Sequence, residues 1–205
     1  MEQIGFKDKT FESQEAFRLI LQATSNPGKK IQFTNDYHSL ENLNASSINI
    51  IFTLLDLDTN VFIQSAQESN ISNFIKLHTG APITKNKVES DFAVVTDGDL
   101  DFDSFHVGLD QYPDKATTLI IQIHSMSQGE DFVLSGPGIK NSNRITLSEF
   151  VYQANRVLNG AVGKEGVLVH PQHLGERAYQ DLFDHPSYKP IVCVGDRDGP
   201  HGLGK

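Results

Sequence analysis

The 205-residue sequence has one cysteine, no tryptophan and two methionines. A lone Cys193 excludes an internal disulfide framework and fits a reducing compartment. No apolar run approaches the roughly 20 residues of a membrane-spanning helix, so a spanning protein is not expected. The leading MEQIGFKDKTFESQ lacks the apolar stretch of a signal peptide, and a cytoplasmic location is expected. Positive charge is also scarce: 17 Lys and Arg stand against 26 Asp and Glu, a net charge of −9. Eight of the acids (Glu89, Asp91, Asp97, Asp99, Asp101, Asp103, Asp110 and Asp114) crowd between Lys85 and Lys115. A surface so acidic repels phosphate backbones, which excludes nucleic acid as an expected partner. There is no C-x-x-C pair, no internal repeat and no low-complexity linker. No serine sits in a G-x-S-x-G nucleophile elbow.

What is present reads as one globular domain over residues 1–205, with 38% hydrophobic and 21% charged residues. Phe11 to Thr24 is expected to be a helix, with Phe17, Ile20, Leu21 and Thr24 on its buried face and Ser13 as its cap. Ser25-Asn26-Pro27-Gly28 stops it, and a short strand is expected at Lys30 to Phe33. A second helix is expected from Ser46 or Ser47 to about Leu57, buried through Ile48, Ile51, Leu54 and Leu55. A third runs from Ile71 to His78 and closes at Thr79-Gly80-Ala81-Pro82. Strands are expected at Val61 to Ile63, Phe92 to Val95, Thr117 to His124, Phe132 to Leu134, Val167 to Val169 and Ile191 to Val194. Thr146-Leu147-Ser148-Glu149 has the form of a capping box, so a helix is expected from there to about Leu158. Another is weakly signalled between Gly175 and Phe183. Strands alternating with helices give an α/β fold with a mixed sheet flanked by helices.

Several constellations could carry chemistry. Zinc favours ligands such as His170, His173, His185, His201 and Cys193, but the proline inside His170-Pro-Gln-His173 spoils a helical two-histidine pair. Polar-tail histidines are the preferred reading, and no metal is expected. Gly199 to Lys205 matches the first part of a phosphate-binding loop, but the Ser/Thr and the following helix are missing. Asp99, Asp101 and Asp103 lack the glycine and glutamate of a calcium loop. Arg18 lies close to the buried face expected of the first helix, where a cation needs an acid, a carbonyl or an anion; Asp56 is its nearest plausible partner. The turns His78-Thr79-Gly80-Ala81-Pro82 and Ser135-Gly136-Pro137-Gly138 either offer backbone N–H groups to a phosphate-like anion or simply close sheet edges or meet a partner subunit. The second reading is preferred.

A set of ordered segments carries a resemblance. They are Phe17-Arg18 with Ala23 to Gly28, Phe52 to Thr59 (FTLLDLDT), Leu77 to Pro82 (LHTGAP), Asp91 to Val94, Ala116 to Ile120 and Leu134 to Ile139 (LSGPGI). In order and spacing they resemble the PhnH family, the H subunit of the bacterial carbon–phosphorus lyase core complex. The likeness spans about Phe11 to Phe150. Beyond Gly160 the chain departs from the family's N-x-x-x-F-P-L-G-x-D and L-P-R-T-T-like segments. The resemblance implies a fold similar to the large domain of pyridoxal-phosphate-dependent transferases, without that cofactor. It implies a homodimer that joins PhnG, PhnI and PhnJ in a complex where methylphosphonate displaces adenine from MgATP, giving α-D-ribose 1-methylphosphonate 5-triphosphate. No catalytic residue is carried over. Arg18, Asp56, His78, Thr79, Gly80, Gly136 and Gly138 remain as ligand-binding or interface candidates. The alternative is a stand-alone small-molecule enzyme with a cleft at a dimer interface.

Overall fold

The computed structural model describes residues 5–26, 29–34, 40, 43–98, 104–106, 108, 112, 115–123, 130–134, 140–147, 166–167 and 191–195. The first helix, α1 (Lys9–Ser25), begins where the Asp8 carboxylate accepts from the N–H groups of Thr10 and Phe11, both at 3.1 Å. Glu12 reaches back to the Lys7 N–H at 2.9 Å, so donors left over at the helix start are satisfied from both sides. Asp8 is therefore the cap, and Ser13 lies inside the helix with its hydroxyl donating to the Lys9 and Thr10 carbonyls. The buried stripe is Ala16, Ile20 and Ala23, whereas Phe17 and Leu21 remain 46% and 50% exposed. Two alanines in that stripe let α1 lie closely along the next helix, α2 (Ala45–Leu54).

Asn44 caps α2, its side-chain oxygen accepting from the Ser47 N–H at 2.8 Å, so the helix starts slightly before the expected serines. It is buried on nearly every side, as its composition ASSINIIFTL dictates. It ends at Leu54, short of Leu57, because the Asp56 carboxylate accepts from the Asp58 N–H at 3.0 Å and folds the chain into a turn.

Strand β1 (Val61–Gln64) follows, then α3 (Glu68–Thr79), a 3-10 turn at Lys87–Glu89, and β2 (Phe92–Val95). Next come β3 (Thr118–Ile123), the antiparallel pair β4 (Glu130–Leu134) and β5 (Asn143–Leu147), β6 (Gly166–Val167) and β7 (Ile191–Gly195). The main sheet has the order β1-β2-β3-β7-β6; β1, β2, β3 and β7 are parallel, and β6 pairs antiparallel with β7, so the sheet is mixed as expected. Cys193 lies in register with Ile121. Val61, Ile63, Val94 and Ile120 share one core with α1, α2 and α3. Ala93, Val95, Leu119 and Ile121 alternate to the other face and are buried there as well. Burial on both faces is why FAVV and TLIIQI read as near-continuous apolar runs.

Thr146 and Leu147 end β5, opposite Asp131 and Glu130 of β4, so the expected helix does not begin at Thr146. Ladder pairing along five residue pairs outweighs one local capping motif. The remainder of that helix and the one signalled near Gly175 lie outside the described residues. Among the described residues no helix is long and apolar enough to cross a membrane.

Candidate functional site

A parallel sheet has two chemically different rims, and the candidates must be placed on one or the other. At the amino ends of β1 and β2, three of the segments quoted above come together. The Asp56 N–H donates to Thr59 Oγ1 at 2.9 Å, completing the turn whose carboxylate contact is given above. This turn pushes Leu57 outward, where it stays 74% exposed, with its Cδ2 only 2.5 Å from the point a Cβ on Gly80 would occupy. Val61 N–H donates to the Pro82 carbonyl at 2.8 Å, and Asn60 N–H donates to Asp91 Oδ2 at 2.8 Å. The Asp56, Gly80 and Asp91 segments thus form one rim.

Gly80 terminates α3 in the left-handed region, with φ at 77°. Its N–H donates to the Lys76 carbonyl at 3.1 Å; the Ala81 N–H donates to Thr79 Oγ1 at 3.1 Å, and that hydroxyl donates to the Ile75 carbonyl at 2.8 Å. Both turn N–H groups are engaged internally, and the Leu57 side chain lies beside the exposed glycine. The segment after the turn runs along β1, with the Thr84 N–H donating to the Val61 carbonyl at 2.9 Å. His78 rests against Phe74, ring centroids 4.6 Å apart, and Phe52, 5.5 Å apart. Desolvation against these rings, and secondarily the Lys9 ammonium, hold its pKa below the ordinary 6.5. A helix carboxyl end by itself would favour the protonated ring, so the apolar contact outweighs the dipole here.

Arg18 is exposed and makes no hydrogen bond or ion pair among the described residues. The expected Arg18–Asp56 pair does not form. The reason is that α1 buries the arc through Ala16, Ile20 and Ala23, leaving Arg18 in water, while the Asp56 carboxylate is spent on its own turn. Gly136 and Gly138 lie outside the described residues, as do His170, His173, His185 and His201, the Gly199–Lys205 segment, and Asp99, Asp101 and Asp103. Cys193 falls within β7. Among the described residues no group of three or more His, Cys, Asp or Glu could hold a metal ion.

The carboxyl ends of the strands carry a polar cluster that the sequence reading missed. Gln122 Oε1, on β3, accepts from the Asn44 N–H at 2.9 Å and from Ser47 Oγ at 3.1 Å, tying the start of α2 to the sheet. One position over, the Asp97 carboxylate accepts from the Ala66 N–H at 2.9 Å, just ahead of α3, and Thr96 Oγ1 lies 2.7 Å from Ser65 Oγ. Ser46 Oγ and Asn49 Oδ1 on α2 are buried without a hydrogen-bond partner among the described residues. The available signals were the break Gln122 makes in an apolar strand and the Asn44 before two serines. This rim supplies amides, hydroxyls and one carboxylate. His78 and His106, the histidines in the described part, hydrogen-bond to no hydroxyl or thiol there.

The fold and its rims define the class: an α/β protein with a helix-flanked, mostly parallel mixed sheet, closed at the amino rim by interlocked turns and polar at the carboxyl rim. Within that class the chain belongs to the PhnH family. Residues 4–160 match the family described as bacterial phosphonate metabolism protein (PhnH). A curated relative, the alpha-D-ribose 1-methylphosphonate 5-triphosphate synthase subunit PhnH of Rhizobium meliloti (strain 1021), is 34% identical over 140 residues, covering 67% of this chain and 70% of its own.

Proposed function

We propose that this chain is an accessory subunit of a phosphonate-processing synthase, the assembly that displaces adenine from MgATP with methylphosphonate to give ribose 1-methylphosphonate 5-triphosphate. The observation that carries the reading is the family membership across residues 4–160 together with a curated relative named as a subunit of that synthase. Its setting is the cytoplasm, as a homodimer within a complex containing PhnG, PhnI and PhnJ, and MgATP is a substrate of the whole rather than a cofactor of this chain. The interlocked amino rim and the engaged N–H groups at Gly80 and Ala81 support a structural role for the LHTGAP turn. We also infer the likeness to the large domain of pyridoxal-phosphate transferases without the cofactor. A Schiff-base absorbance on mixing the chain with pyridoxal phosphate would contradict that second point.

The decisive experiment follows adenine release from MgATP and methylphosphonate by the partner subunits with and without this chain. Release is expected only with the chain present, and none is expected from the chain alone. Unchanged release on omitting it overturns the requirement; adenine from the isolated chain favours a stand-alone enzyme.

A further inference from the structure

Phe105 and His106 lie on the stretch of chain that leads from β2 to β3, and two anchors fix them. The Phe105 ring is buried against Phe62, with the centroids 5.8 Å apart. The His106 carbonyl accepts from the Thr117 N–H at 2.9 Å, and Thr117 Oγ1 donates to the Ser90 carbonyl at 2.7 Å, just ahead of β3. The half-buried imidazole has one nitrogen claimed from two sides. His106 Nδ1 lies 2.9 Å from the Lys115 carbonyl oxygen and 3.0 Å from the Gly108 nitrogen, whose N–H points at it. That nitrogen has a single in-plane position, filled either by a lone pair or by a proton. Bare, it accepts from Gly108 and confronts the Lys115 oxygen; protonated, it donates to Lys115 and confronts the Gly108 N–H. The two contacts exclude each other, and burial ranks them. Gly108 is buried, so its N–H has no solvent to turn to, whereas Lys115 is exposed and water can serve its carbonyl.

We propose that His106 is a proton-operated latch on Gly108, a device that stands apart from the subunit reading and does not depend on it. In the neutral ring the proton resides on Nε2 and Nδ1 holds the Gly108 N–H. A proton taken from solvent at Nδ1 turns that acceptor into a donor, gives the bond to the Lys115 carbonyl and expels Gly108. Because Phe105 and the Thr117 bond hold the histidine backbone in both states, Gly108 is the part that moves, and its left-handed φ of 81° is the conformation released. The charged groups on the neighbouring segments are engaged elsewhere. The Lys87 ammonium lies over the Phe105 and Phe62 rings, 5.1 and 5.5 Å from their centroids, and the Asp91 carboxylate takes the Asn60 N–H. Lys115 meets the ring through its carbonyl, and no charged side chain is ion-paired to the imidazole among the described residues.

The test follows the full chain by NMR over a pH series. It reads the ring-nitrogen shifts of His106 and the exchange of the Gly108 and Thr117 amides, corrected for the intrinsic pH dependence of exchange. The neutral ring is expected as the Nε2–H tautomer. As the ring takes up its second proton, Gly108 exchange is expected to rise about tenfold while Thr117 stays protected. In His106→Asn, whose amide does not titrate, that pH step is expected to vanish. An Nδ1–H tautomer in the neutral ring overturns the proposal, as does Gly108 protection that ignores ring protonation. A parallel loss of protection at Thr117 overturns it too, since the whole segment then opens rather than one bond. Persistence of the step in the asparagine variant assigns it to another group, and the latch fails.

Discussion

Gly80 and His78 show how single residues are constrained at the amino rim. An alanine at position 80 would carry a left-handed φ of 77°, whereas the atom its Cβ would meet at 2.5 Å is Leu57 Cδ2, the free end of an exposed side chain that can rotate away. Gly80→Ala is expected to cost about 1–2 kcal/mol in urea denaturation, from the backbone. The cost is expected to be the same in a Leu57→Ala background. A clearly smaller cost there would show that Leu57 is held against the glycine. His78 has a folded-state pKa below its unfolded value of 6.5, so the unfolded chain binds more protons as pH falls through 6.5. Stability is therefore expected to drop as pH is lowered from 6.5 through the folded pKa and then to level off in this component. Replacing His78 by Gln removes that slope, which denaturation at a series of pH values reads directly. The sequence showed both residues and placed the helix end correctly, because a glycine after a helical run is a local stop signal. It did not show that Phe52 of α2 would close over the imidazole, since that contact is made across helices, whereas the Phe74–His78 pair is an i, i+4 contact within α3.

At the scale of elements, α1 and α2 separate what periodicity fixes from what packing fixes. Helical spacing groups Phe17 with Leu21 and Ala16 with Ile20, but the arc that is covered depends on where α2 and the sheet lie. The structure covers Ala16, Ile20 and Ala23. Ile20→Ala is expected to cost about 2–4 kcal/mol, whereas Phe17→Ser with Leu21→Ser changes the stability of the isolated chain by less than about 1 kcal/mol. A large loss from the serine pair would restore Phe17 and Leu21 to the buried face read from the sequence, of which the structure covers Ile20. In α2, Ser46 Oγ is buried without a partner among the described residues, so its hydroxyl is desolvated for no visible return. Ser46→Ala is expected to leave stability unchanged or raise it by up to about 1 kcal/mol, measured by thermal unfolding. A large loss would show that the hydroxyl has a partner. The β4–β5 pair carries the same lesson from the other direction: Thr146-x-x-Glu149 is a sound local signal for a helix start, yet pairing with Asp131 and Glu130 holds Thr146 and Leu147 extended.

For the whole molecule, charge and topology set the behaviour. A net charge of −9 predicts no binding of a fluorescent DNA duplex at physiological salt with protein at about 10 μM, read as anisotropy; saturable binding there would require a basic patch absent from the sequence pattern. The sequence by itself determined the class of fold and the family. Apolar runs such as TLIIQI, helical spacing between them, and turn residues such as Gly80 are local properties, and local properties suffice to alternate strands with helices. It also determined the acidic character, which is a sum over residues and needs no geometry. Only the tertiary structure decided which half of the apolar arc of α1 is covered, that Arg18 and Asp56 stay apart, that Leu57 lies beside Gly80, and that Gln122 holds the start of α2. Each of these joins segments distant in sequence. Such contacts are set by how the sheet and helices pack, and a linear pattern carries no information about the distance between two faces that meet only after folding.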